Sequence, residues 1–144
     1  MSEKLTMLSW ILLALVGALT LFSALASMGS AYFQADDPMG GVIPLSELAG
    51  DRADVATAIK ARRGTAAAFA AGYGLLFLII TLIPYRRGDV WAWWTLLTAT
   101  VLVSGIILLR NPLLGTNLGT GAANIPLAVC IVALLLDVSR LKSA

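Results

Sequence analysis

Long apolar runs broken by short polar stretches set the pattern of this chain. Four runs are close to the roughly 20 residues that a helix needs to cross a hydrocarbon core. They extend over about Leu8 to Phe33, Gly64 to Pro84, Val90 to Leu109 and Ala122 to Val138, and the last carries only Asp137, near its end. In lipid, each backbone N–H and C=O must be satisfied by the chain itself, so such runs predict helices. A transmembrane barrel would alternate polar and apolar positions, and these runs do not. The pattern therefore predicts an all-α fold: a four-helix transmembrane bundle, residues 1–144 forming a single integral-membrane domain. An extramembrane loop is expected over 34–63.

Punctuation along the chain refines these bounds. Lys4 before an apolar stretch, with Ala24-Leu25-Ala26 further on, has the look of a secretory leader. The apolar core from Leu8 is too long for one, and the segment is read as a retained helix. Trp10, Tyr32-Phe33, Tyr85 and Trp91-Ala92-Trp93-Trp94 fall where interfacial aromatic belts are expected. Pro84 is expected to end the second span, because the residue before a proline is pushed out of the helical region. Pro112 is expected to stop the third. Pro126 is expected in the first turn of the fourth, where a missing N–H is harmless. Within the long loop, Asp36-Asp37-Pro38-Met39-Gly40-Gly41 is turn chemistry. Residues 44–63 follow as a short amphipathic helix, with Ser46 as N-cap and Leu48, Val55 and Ile59 at helical spacing. That helix either lies on the membrane surface or extends the second span into water.

Composition narrows the chemistry. Of 144 residues, 59% are hydrophobic and 12% charged, against about 25% charged in a typical soluble domain. A water-facing monomer is excluded. There is no histidine and one cysteine, which removes His-based triads, His-ligated metals and intrachain disulfides; no metal or cofactor is expected. The net charge of +2 comes without a basic stripe interleaved with aromatics, so nucleic acid is not an expected partner. With four spans, the N-terminus, the Arg86 loop and the C-terminus share one side, and the Lys and Arg residues divide five to five between the sides. The positive-inside rule does not separate them. Cytoplasmic termini are preferred because the long loop is the easier segment to place outside.

Membrane-embedded charges mark ion paths and proton relays, and no carboxylate falls mid-span. Asp137 and Arg110 are terminal and are expected to snorkel to the headgroups. A ligand-binding rim is conceivable above the long-loop side, from Asp36, Asp37, Arg62, Arg63, Arg110, Asn111, Asn117 and Asn124. Arginines and carboxylates at a cavity mouth suit a headgroup or small anion; the ordinary role of such residues is to cap helix ends in water. Gly64, Ala68 and Gly72 form a small-xxx-small face for helix packing, within the bundle or between copies. The glycine-rich stretch from Gly115 to Gly121 lacks the Lys-Ser/Thr ending of a phosphate loop and reads as an interhelical connection. Cys130 is expected to pack as a small hydrophobe. Gly64-Thr65-Ala66-Ala67-Ala68 and Gly119-Thr120-Gly121-Ala122-Ala123 hint at a repeat of helix pairs, although small-residue helix starts look alike by chance.

The turn Tyr85-Arg86-Arg87-Gly88-Asp89-Val90-Trp91-Ala92-Trp93-Trp94 resembles a run in small uncharacterised bacterial four-helix membrane proteins, some grouped loosely as DoxX-like. The resemblance implies an inner-membrane four-helix bundle and carries no catalytic motif. Three functions are in view. The first is a non-catalytic accessory or structural subunit of a larger membrane assembly, with a protein partner or second copy on the small-residue faces. The second is a module binding membrane lipid or an apolar small molecule. The third is an enzyme on a membrane-embedded substrate, with Asp36, Asp37 or Glu47 as acid or base; no catalytic residue is assigned.

Overall fold

The computed structural model describes residues 3–34, 43–117 and 120–142, and every element among them is helical. The order is α1 (Glu3–Phe33), α2 (Leu45–Ala49), α3 (Ala53–Ile80), a π-helical turn (Thr81–Tyr85), α4 (Val90–Leu108), α5 (Arg110–Leu114), α6 (Thr120–Leu136) and a 3₁₀ turn (Val138–Lys142). Three helical stretches are long and apolar enough to cross a membrane: Glu3–Phe33, Ala53–Tyr85 and Val90–Leu114. The fourth expected span, α6, has 17 residues, a rise of about 26 Å. It is apolar but shorter than the other three.

Residues 44–63 do not form one helix. Pro44, not Ser46, occupies the N-cap of α2, and Gly50 at φ +53° closes that helix with its N–H on the Ser46 carbonyl. Proline has φ preset for that position and no N–H to leave unserved; glycine tolerates the left-handed turn. From Ala53 the chain runs unbroken into the second span. At 33 residues the stretch is about 50 Å long, well beyond a 30 Å hydrocarbon core. Its N-terminal turns, with Asp54, Lys60, Arg62 and Arg63, thus extend the span rather than form a separate surface helix.

The prolines behave differently from expectation. Pro84 does not end the second span: the helix widens into a π turn around it and continues through Arg87. The wider turn gives the ring room and moves bonds to i−5, as in Arg86 N–H to Thr81 O and Asp89 N–H to Pro84 O. Pro112 lies inside α5, within its first turn, and the stop comes at Gly115, φ +63°, whose N–H returns to Asn111 O. Pro126 sits beyond the first turn of α6, because that helix starts at Thr120. The ring leaves the Ala122 carbonyl without its helical donor. The next carbonyl, that of Ala123, accepts from the Ser104 hydroxyl at 3.3 Å.

The chain contains two compact units: Met1–Ala18 with Leu75–Ala144, and Leu19–Gly74. In the first, α4 packs along α6. Ala92, Trp93, Leu96, Thr100 and Ser104 are buried on α4, and Ala123, Cys130, Ala133 and Leu134 on α6. Lipid tails are as apolar as leucine, so small side chains and interhelical hydrogen bonds must favour the contact. Thr100 meets Cys130 Sγ at 3.3 Å, and the Trp93 indole N–H donates to Leu134 O at 3.1 Å. Gly17 of α1 lies so close to α3 that a Cβ there would stand 2.9 Å from Leu78 Cγ and 3.2 Å from Leu78 N. In the second unit, Tyr32 packs against Gly64, Arg63 Nε donates to Ser27 Oγ at 3.2 Å, and Lys60 Nζ donates to Gln34 O at 2.8 Å.

Candidate functional site

The expected rim is distributed over both units. Asp36 and Asp37 lie outside the described residues. Arg62 is exposed and Arg63 half-buried beside Ser27, both in the Leu19–Gly74 unit. Arg110, Asn111, Asn117 and Asn124 belong to the other unit and are exposed. Asn111 Nδ2 donates to Asn117 Oδ1 at 2.5 Å. That bond ties α5 to the connection that follows. Glu47, the remaining carboxylate considered as acid or base, is exposed on α2. Further along the same segment, the Arg52 guanidinium, 2.9 Å from Asp54, holds that exposed carboxyl below its ordinary range.

The small-residue face divides. Gly64 is buried against the Tyr32 ring, whereas Ala68 and Gly72 are exposed, and a Cβ at Gly72 would meet nothing within 4 Å. Phe69, beside them, is 77% exposed.

The densest set of buried polar side chains is elsewhere, at the end of the first unit where the start of α1, the π turn and the 3₁₀ turn meet. Ser9, Tyr85, Asp137 and Arg140 are all buried there. Ser9 Oγ lies 2.6 Å from Tyr85 OH and donates to Ala133 O at 2.7 Å; with its one proton on Ala133 O, Ser9 accepts from the Tyr85 hydroxyl. Asp137 forms an ion pair with Arg140 and accepts from Thr6 Oγ1 at 3.3 Å. Arg140 also donates to the Tyr85 carbonyl, and its guanidinium lies 4.2 Å from the centroid of the Tyr85 ring. Asp137 therefore does not snorkel to the headgroups. The 3₁₀ turn that ends α6 brings Arg140 back onto it, and the pair is drawn under α1.

This arrangement joins chain segments and leaves its polar atoms turned toward one another. The α1 start, the Arg86 turn and the chain's last described turn converge, as a common side for all three requires. Little of the cluster is legible in the sequence. Asp137 and Arg140 have a helical i,i+3 spacing at the end of an apolar run, which signals a pair; nothing in the sequence aims Ser9 at Tyr85.

A second feature lies on α4. An open groove of about 380 Å³ is lined by Trp94, Thr95, Thr98 and Ala99. No protein-family model, curated protein or solved structure matches the chain, so the likeness of the Arg86 turn to DoxX-like proteins stands on those residues alone.

Proposed function

We propose that this chain is a non-catalytic structural or accessory subunit of a larger membrane assembly. One observation carries the reading: the buried polar side chains Ser9, Thr81, Thr100, Ser104, Asp137 and Arg140 are each engaged by other groups of the chain. Their bonds join or brace helices, and among the described residues none of these side chains faces an open cleft. The outward surfaces are large apolar side chains, such as Phe69 and Leu76 on α3, with the small Ala68 and Gly72 beside them. Such a surface suits lipid and also close approach of another helix. The same reading places the chain in a bacterial inner membrane with both termini in the cytoplasm, beside the basic Arg86-Arg87 turn.

A photo-crosslinking residue at Phe69, introduced in cells, tests this. Crosslinking to one defined polypeptide, lost when Gly72 is replaced by leucine, is the expected result. Crosslinks to lipid alone would overturn it.

A further inference from the structure

The groove on α4 and the basic turn that precedes it belong to one end of the same unit. The turn is held firmly. Gly88, at φ +101°, donates its N–H to Tyr85 O, and the Asp89 N–H donates to Pro84 O, both at 3.1 Å. Arg86 and Arg87 are exposed on it, and the Arg86 guanidinium rests 5.0 Å from the centroid of the Trp10 ring. Asp89 carries the opposing charge of the turn and is exposed as well; two cations against one anion leave it basic.

Beyond the turn the recess begins. Trp93 is buried and pinned by its indole N–H on Leu134 O. Trp94 stands edge-on against it, ring centroids 4.8 Å apart and planes at 76°. The recess wall formed by Trp94 is thus braced from inside the protein. Thr95, Thr98 and Ala99 supply a low floor. The Thr95 hydroxyl is turned back to Trp91 O at 2.9 Å, which leaves the recess mainly carbon-lined. Trp91, Thr98, Leu102 and Gly105 are exposed and follow the same helical face, and a Cβ at Gly105 would meet nothing within 4 Å. Val90 and Trp94 are separated by a rise of about 6 Å, so the basic turn and the top of the recess are within reach of one lipid molecule.

We infer that this end of the protein is a binding site for one anionic phospholipid. Its phosphate sits at Arg86 and Arg87, and one acyl chain lies in the recess of Trp94, Thr95, Thr98 and Ala99. Charge complementarity selects the occupant: a zwitterionic lipid would fill the recess equally well, but its headgroup cation offsets what its phosphate gains from the two guanidiniums. The site is independent of any protein partner on α3.

All four tryptophans, Trp10, Trp91, Trp93 and Trp94, fall in this region, which provides a direct readout. The full chain is placed in vesicles of phosphatidylcholine doped with brominated phosphatidylglycerol or, separately, brominated phosphatidylcholine at equal mole fraction. The expected result is quenching at roughly tenfold lower mole fraction for the anionic lipid, in keeping with two arginines facing its headgroup. The preference should vanish in Arg86→Gln/Arg87→Gln. It should also vanish in Thr98→Leu/Ala99→Leu, which fills the recess and keeps the charges. Equal quenching by the two lipids would overturn the site. A preference that survives filling of the recess would also overturn it, leaving only a general basic belt. The wild-type comparison decides between these lipids even where a variant does not fold.

Discussion

Ser9 on α1 and Tyr85 at the end of the π turn meet hydroxyl to hydroxyl at 2.6 Å across 76 residues of sequence. Both are fully buried, and Ser9 also serves the Ala133 carbonyl of α6. One small hydroxyl therefore ties three helical segments. Ser9→Ala removes both bonds and leaves the buried phenol without the Ser9 acceptor, an effect of roughly 1–3 kcal/mol. Tyr85→Phe leaves Ser9 bonded to Ala133 and should cost less, about 1 kcal/mol. Denaturation in mild detergent, followed by circular dichroism, checks the order of the two. Equal stability of Ser9→Ala and wild type would show that the tie contributes nothing.

The Asp137–Arg140 pair predicts a non-additive pattern. Replacing either partner strands a buried charge, and losses of roughly 3–5 kcal/mol are typical of such sites. Asp137→Asn/Arg140→Gln removes both charges and should recover part of the loss. A double-mutant cycle on thermal stability measures this. Strict additivity would mean that the two charges do not sense each other, against their geometry.

Two glycines should respond differently to alanine. At Gly17 the added methyl meets Leu78 side chain and backbone and Phe77, in a contact that overpacking would strain by roughly 1–3 kcal/mol. At Gly64 it meets the far end of Tyr32, whose side chain is half out in the open and can swing away; alanine's better helix propensity, about 1 kcal/mol, offsets that shift. Gly17→Ala should therefore be the more destabilised, as thermal melts would show. The reverse order would contradict the placement of α1 against α3.

These contrasts show what the pattern of residues could and could not reveal. Apolar runs bounded by aromatic residues locate the long helices, because hydrocarbon leaves the backbone no alternative, but not the start of the second, which begins eleven residues before Gly64, at Ala53. Prolines were harder to read. Pro84 reads as a stop, yet a π turn absorbs it, with Thr81 and Tyr85 buried on either side. Gly64 stands out by its spacing, while Gly17, whose neighbour includes the Leu78 backbone, has no small-xxx-small partner to announce it. Of the rim, Arg110 and the asparagines fall at or near helix ends, whereas Arg62 and Arg63 lie within α3, in the turns that precede its apolar run. The buried cluster was missed because Ser9 and Tyr85 are separated by most of the bundle, and only tertiary packing makes them neighbours.

Leucine at Gly72 separates packing within the chain from packing against a partner. No atom lies within 4 Å of its Cβ position, so Gly72→Leu should leave the melting temperature of the isolated chain unchanged or slightly raised. In the native membrane the same change should release the chain from its assembly, seen as a shift in size on native gels. A destabilised isolated chain would show instead that this face is packed internally.

The central claim, that the chain works as one part of a membrane assembly, is tested most directly by native mass spectrometry of the protein extracted from its own membrane in a mild detergent. The account predicts a complex with a second polypeptide at fixed stoichiometry, lost in Gly72→Leu. The bare chain, with bound lipid but no polypeptide under conditions that preserve other membrane complexes, would contradict it.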